Sequence, residues 1–261
     1  MKGKVVWITG ASSGIGEALT YQLNEIGCKL IISARREKVL AEVKKNSNLP
    51  DHVAILPLDL TQTDQLPAKT KKAIEFYGHV DMLINNGGLS QRSLILDTKF
   101  EVFQKMIEVN YLGTICLSKS ILPHFIARKT GHFTTITSLM GKFGSPYRSG
   151  YCGAKHALHG FFDVLRMEHE KDNINVTLIC PGFINTDVAK NALTADGTRQ
   201  KKQDEATANG MHVAKCAKKI IKAIQKRKFE VNIGGKEIMA VYLKRFFPRL
   251  LHRVVLKSAV K

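Results

Sequence analysis

The chain has 261 residues, of which 44% are hydrophobic and 24% charged, a globular composition unlike that of a collagen, a disulfide scaffold or a disordered chain. Lys and Arg outnumber Asp and Glu by 40 to 22, and the resulting charge of +18 favours anionic ligands, lipid surfaces or nucleic acid without choosing among them. The cysteines (Cys28, Cys116, Cys152, Cys180 and Cys216) are scattered and never spaced as CxxC, so no disulfide framework and no metal site is expected, and the thiols read as reduced.

From Lys4 onward, short β-branched runs alternate with longer helical patterns, as expected of βαβ units building a doubly wound parallel sheet with helices on both faces. Strands are predicted at 5–9, 29–33, 53–56, 82–85, 133–137, 175–179 and 229–232, and helices at 15–26, 38–45, 63–77, 100–128, 151–170 and 213–226. The first strand begins too early to leave room for a charged segment and a long apolar run before it, so no secretory signal is expected. No stretch approaches the roughly 18 uninterrupted apolar residues of a spanning helix, and a cytoplasmic, at most peripherally membrane-associated protein is expected.

Directly after the first strand comes Thr9-Gly10-Ala11-Ser12-Ser13-Gly14-Ile15-Gly16. Such glycines permit a tight turn and let the backbone approach a pyrophosphate, whose charge meets the N–H groups and positive end of the following helix. A merely structural turn is the alternative, but the first strand-to-helix junction is the context that gives the motif meaning. The wording TGxxxGxG resembles the short-chain dehydrogenase/reductase family, and the resemblance extends from Lys4 to about Asn232. It implies a Rossmann-type α/β fold, a nicotinamide dinucleotide cofactor, oxidoreduction of a small molecule, and a homodimer or homotetramer.

The second strand ends Ile32-Ser33-Ala34-Arg35-Arg36, where an NAD-selective fold would place an acid against the ribose 2′-hydroxyl. Arg35 can instead pair with a 2′-phosphate, with Ser12 or Ser13 adding hydroxyl donors, so NADP(H) is favoured over NAD(H). Asp59-Leu60 resembles the family's adenine contact, and Asp59 could equally cap the next helix. Asn85-Asn86-Gly87-Gly88 resembles the family's NNAG, with Gly87 for Ala, a change expected to alter rigidity slightly and leave the motif intact.

Asn110 is a poor helix former inside a helical stretch, hence a kink; the resemblance implies that its carbonyl holds a water leading to Lys155. Ser138 follows the fifth strand and matches the family's substrate-orienting serine, a hydroxyl that can hold the substrate carbonyl while charge develops on oxygen. A strand-terminating turn is its structural alternative. Tyr151 and Lys155 form a YxxxK spacing, which puts phenol and ammonium one helical turn apart, and an adjacent cation favours phenolate. Asn110, Ser138, Tyr151 and Lys155 together resemble the family's catalytic tetrad. After the sixth strand, Pro181-Gly182-Phe183-Ile184-Asn185-Thr186 resembles the segment that seats the nicotinamide, through Ile184 backbone groups and the Thr186 hydroxyl.

Residues 1–235 are expected to form one catalytic domain, with 186–212 a polar lid over the strand ends. Apolar Val188, Ala189, Ala192 and Leu193 in the lid, and Leu139, Met140, Phe143, Pro146 and Tyr147 after Ser138, suggest a lipophilic ketone, aldehyde or alcohol as substrate. Residues 236–261 form a basic amphipathic tail broken by Pro248, holding seven Lys or Arg against one acid. Packing over the active-site mouth or at a subunit interface is preferred for it, with contact to an anionic membrane as the alternative. Two other functions remain open: a non-catalytic NADP(H) sensor, disfavoured because a sensor needs no proton donor, and nucleic-acid binding, which rests on charge alone and is not expected.

Overall fold

The computed structural model describes residues 1–258. Nine strands and ten α-helices alternate in these residues: β1 Val5–Thr9, α1 Gly14–Glu25, β2 Lys29–Ser33, α2 Glu37–Lys45, β3 Val53–Ile55, α3 Leu66–Tyr77, β4 Met82–Asn85, α4 Phe100–Ile107, α5 Gly113–Ala127, β5 Gly131–Ile136, α6 Ser149–Glu168, β6 Ile174–Pro181, β7 Ile184–Asn185, α7 Glu205–Ala208, β8 Met211–His212, α8 Val213–Gln225, β9 Glu230–Ile233, α9 Met239–Phe246 and α10 Pro248–Lys257. Seven strands make one sheet in the order β3-β2-β1-β4-β5-β6-β9, every pair parallel.

A parallel sheet covered on both faces needs strands that are apolar throughout, and β1, VVWIT, is buried at every position. Val6 and Ile8 point into one core with α1, α2 and α8, while Val5 and Trp7 point into the other with α3, α5 and α6. The strand order reverses between β1 and β4, which opens a crevice at their carboxyl ends.

The predicted helix over 100–128 is in fact two helices joined by a π turn, Glu108–Leu112, with Asn110 at its centre. Apolar periodicity continues through such a turn, so the pattern alone does not reveal it. The predicted lid over 186–212 contains α7 and ends in β8, which pairs with β7 just ahead of the lid, and Leu193 bridges to Gln91 and Arg199. The tail is two helices rather than one interrupted pattern, because Pro248 stands in the first turn of α10, where its missing N–H costs nothing. Leu251 and its neighbours Ala240, Val241, Leu243 and Val255 pack on Leu139, Phe143 and Cys180 beside the crevice. Residues 259–261, the end of the tail considered above, lie outside the described residues.

Candidate active site

At the end of β1 the chain turns sharply through Gly10 and Gly14, both with positive φ, +64° and +57°. Only glycine adopts that conformation without strain. Gly16 has no room for a side chain against Gly10 O, which lets α1 start hard against the loop. The loop is fastened from β4: Asn86 Nδ2 donates to Thr9 O and Gly10 O at 3.1 Å each, and the Asn86 and Gly87 amides both donate to Thr9 Oγ1 at 3.0 Å. A methyl on Gly87 would meet only the flexible tip of Leu60.

One cavity of about 700 Å³ runs over this loop and along the strand ends. Its wall includes Gly10, Ser12, Ser13, Gly14 and Ile15 from the loop, Arg35, Asp59, Leu60, Asn86 and Gly87 from the next strand ends, and Pro181, Gly182, Ile184 and Thr186 from beyond β6. Asn110, Ser138, Tyr151 and Lys155 line it too, so every residue expected from the sequence to be catalytic or cofactor-binding, except Gly16, meets the same space. Gly16 lies under the loop. Arg35 and Arg36 are exposed at the rim, and it is Arg36 whose Nη2 reaches Ser12 Oγ, at 3.4 Å. Asp59 does not cap α3, whose N-cap is Gln65; its Oδ1 accepts from the Thr61 amide and hydroxyl at 2.9 Å each. Thr186 packs over Gly14 and brings the start of the lid onto the loop.

Ser138 takes an extended conformation after β5, and its Oγ accepts the Met140 amide at 3.1 Å while lying 3.4 Å from Pro181 O. Lys155 is buried, with Nζ donating to Ile136 O at 2.8 Å and lying 5.7 Å from the centre of the Tyr151 ring. Burial pushes the Lys155 ammonium down to about 8. Burial also raises the Tyr151 phenol above its ordinary value, while Ser138 and the charges of Arg92 and Arg148 pull the other way. The cation expected beside Tyr151 to favour phenolate thus has burial of the phenol working against it. Desolvation outweighs every neighbouring charge, and the ammonium is directed at a backbone carbonyl. Asn110 uses its side chain on Leu89, accepting from its amide at 2.9 Å and donating to its carbonyl at 3.1 Å.

Several residues that hold the site carry no sequence signal. Gln91 Oε1 accepts the Gly150 and Tyr151 amides at 2.8 and 3.4 Å, satisfying free N–H groups of the helix that bears Tyr151. Arg92 and Arg148 both converge on Asp204 of the lid. Glu237 Oε1 accepts the Phe183 amide at 3.1 Å, and its carboxylate fills the space that a Cβ on Gly182 or Gly234 would need. The apolar lining also differs from expectation: Leu139, Met140, Phe143 and Val188 reach the cavity, whereas Ala189 and Ala192 are wholly buried and Pro146 faces a smaller neighbouring groove. Leu251, Val254 and Val255 of the tail complete the wall.

The described residues contain no helix long and apolar enough to cross a membrane. The family described as short chain dehydrogenase matches residues 4–197. A mosquito protein, "Dehydrogenase/reductase SDR family protein 7-like" of Anopheles gambiae, is 42% identical over 268 residues, covering 100% of this chain and 84% of its own. Human "Dehydrogenase/reductase SDR family member 7" is 42% identical over 251 residues, covering 94% of this chain and 74% of its own. Among solved structures, a short-chain dehydrogenase from Streptomyces avermitilis superposes with a TM-score of 0.81 at 25% identity, covering 99% and 100% of the two chains. One from Burkholderia phymatum, in complex with NAD, superposes at 0.84 with 22% identity, covering 95% of each. The glycine loop, the parallel sheet that carries it and these matches agree, and the chain belongs to the short-chain dehydrogenase/reductase family of nicotinamide-dependent oxidoreductases.

Proposed function

We propose that the chain interconverts a carbonyl and a primary or secondary alcohol on a lipophilic substrate, using NADP(H), with Tyr151 as proton donor and acceptor. The observation that carries this reading is the meeting of Ser138, Tyr151 and Lys155 on the wall of the cavity that also runs over the glycine loop. The residues fit a dinucleotide. The two left-handed glycines and the packed Gly16 leave backbone N–H groups at the start of α1 open to a pyrophosphate. Gly10, Ser12, Ser13, Gly14 and Ile15 would hold that group, with Gly16 packed beneath them, Asp59 and Leu60 the adenine, Asn86 and Gly87 the adjoining ribose. Pro181, Gly182, Ile184 and Thr186 would hold the nicotinamide. When bound, the dinucleotide supplies or accepts the hydride.

For the chain's own part, Ser138 Oγ orients the substrate oxygen, and the Tyr151 phenol, held neutral by burial, delivers the proton to it. In oxidation the same phenol must first lose its proton, which the nearby Lys155 Nζ assists. Lys155 also anchors the nicotinamide ribose, and Asn110 closes the proton relay behind it. NADP(H) rather than NAD(H) is supported by Arg35 and Arg36 at the rim, with no acid at the end of β2. The direct test follows absorbance at 340 nm with NADPH or NADH and a panel of lipophilic ketones and aldehydes. Turnover is expected with NADPH, and Tyr151→Phe is expected to lower kcat by about 10²- to 10⁴-fold with cofactor affinity intact. Undiminished turnover in that variant would remove Tyr151 from the mechanism.

The unit 1–235 is read as the catalytic domain of a cytoplasmic homodimer or homotetramer; exposed Val164 and Met167 on α6 support an interface on the long helices. A second reading concerns the tail: α9 and α10 wall the cavity with one face and expose Tyr242, Phe246 and Leu250 away from it, with Phe247 exposed between the two helices. Lys244, Arg245, Arg249 and Arg253 lie among them, which supports peripheral contact with an anionic membrane.

A further inference from the structure

We propose that Arg148 receives a carboxylate of the substrate, and that the molecules turned over here are oxo or hydroxy acids with an apolar chain; this deepens the carbonyl–alcohol reading and rests on it. Arg92, Arg148 and Asp204 form a buried cluster, their side chains 9%, 6% and 5% exposed, in which two guanidinium charges face one carboxylate. One positive charge is therefore left over. Arg92 is well satisfied: Nε and Nη2 donate to Asp204 Oδ2, and Nη1 donates to Ser90 Oγ and Gln91 O at 2.7 Å each. Arg148 is poorly satisfied, with Nη1 at 3.2 Å from Ser145 Oγ and Nη2 at 3.4 Å from the same Asp204 oxygen. Its remaining donors have no hydrogen-bond acceptor among the described residues.

The donors of a guanidinium that lines a cavity are open to an anion that enters it. Both arginines form part of the cavity wall and Asp204 does not; Arg148 is the N-cap of α6, one turn ahead of Tyr151, and both residues line the same space. Burial and the like charge of Arg92 push Arg148 down to about 10, as expected of a cation lacking a full counter-ion. One stretch of the same cavity is apolar, walled by Met140, Phe143, Leu251 and Val254. A cationic end and an apolar end in one enclosure match an amphiphilic anion. The planar guanidinium fork selects a carboxylate, which takes no part in the redox step.

Titration calorimetry on the full chain, with and without NADPH, tests this with decanoate, decanol and decylamine as probes. Decanoate is expected to bind tightest, roughly 30-fold or more above decanol, and decylamine weakest. Arg148→Gln should erase the decanoate preference while leaving decanol affinity unchanged, which also reports that the cavity has kept its shape. Equal binding of decanoate and decanol by the wild type, or a preference that survives in Arg148→Gln, overturns the proposal. If that variant fails to fold, the wild-type order of the three probes decides alone, and any order other than decanoate, decanol, decylamine overturns it. Binding needs no turnover, so a failure of the Tyr151 role and a failure of this assignment are separate results.

Discussion

Lys155 sits 5% exposed against one carbonyl, and its amine titrates at about 8 instead of 10.5. Below pH 8 the ammonium is charged in both folded and unfolded chains, and burial destabilises the fold. Between about pH 8 and 10.5 the unfolded chain binds more protons than the folded one, so this residue's contribution to stability rises with pH. Lys155→Met should therefore be more stable than the wild type at pH 7, by a margin that shrinks toward pH 10. Urea midpoints across that range check it, and a margin independent of pH would contradict the burial argument. Tyr151 and Lys155 are legible in sequence because a spacing of four is one helical turn. Arg92 and Asp204 stand 112 positions apart and Arg148 and Asp204 stand 56 apart; each reads alone as a solvated surface charge. No local pattern foretells their meeting.

Among the secondary-structure elements, β1, β2 and β4 begin and end where alternation of β-branched runs with helices places them. The π turn at Asn110 and the short β7–β8 pair that ties together the two ends of the lid do not, since each depends on contacts with residues distant in sequence. Those contacts give the lid a definite attachment. Leu193 accepts the Arg92 amide at 2.8 Å and donates to Ser90 O at 2.9 Å, while Asp204 anchors its far end between two arginines. Asp204→Asn leaves both guanidinium groups buried without their counter-charge, and should cost about 3 to 5 kcal/mol in denaturant-induced unfolding. The variant should also be cleaved faster by protease within 186–203. An unchanged midpoint with unchanged cleavage would mean that the backbone bridges hold the lid by themselves.

Across the molecule, the sequence conveys the sheet, the crevice and most of the wall around it, and leaves the tail ambiguous, because aromatic and basic residues on a helix suit packing and membranes alike. In the structure α9 and α10 turn one face to the crevice and leave Phe246 and the adjoining Phe247 exposed. Replacing Phe246 and Phe247 with Glu removes two ring surfaces, 68% and 61% exposed, that the protein core does not use. With vesicles containing anionic lipid, the wild type is expected to float and the double variant to remain in the soluble fraction, with less flotation of the wild type at high salt. Equal partitioning of the two proteins would end the membrane reading.

The carboxylate of Glu237 occupies the volume beside both Gly182 and Gly234. That arrangement restricts the order in which the chain can change. Alanine at either glycine would have to push the Glu237 carboxylate away from the Phe183 amide that it accepts, whereas a shortened side chain at 237 removes that contact beforehand. The three positions are thus coupled: a glycine replaced first costs the bond between Glu237 and the Phe183 amide, and a glycine replaced after Glu237 does not cost it again.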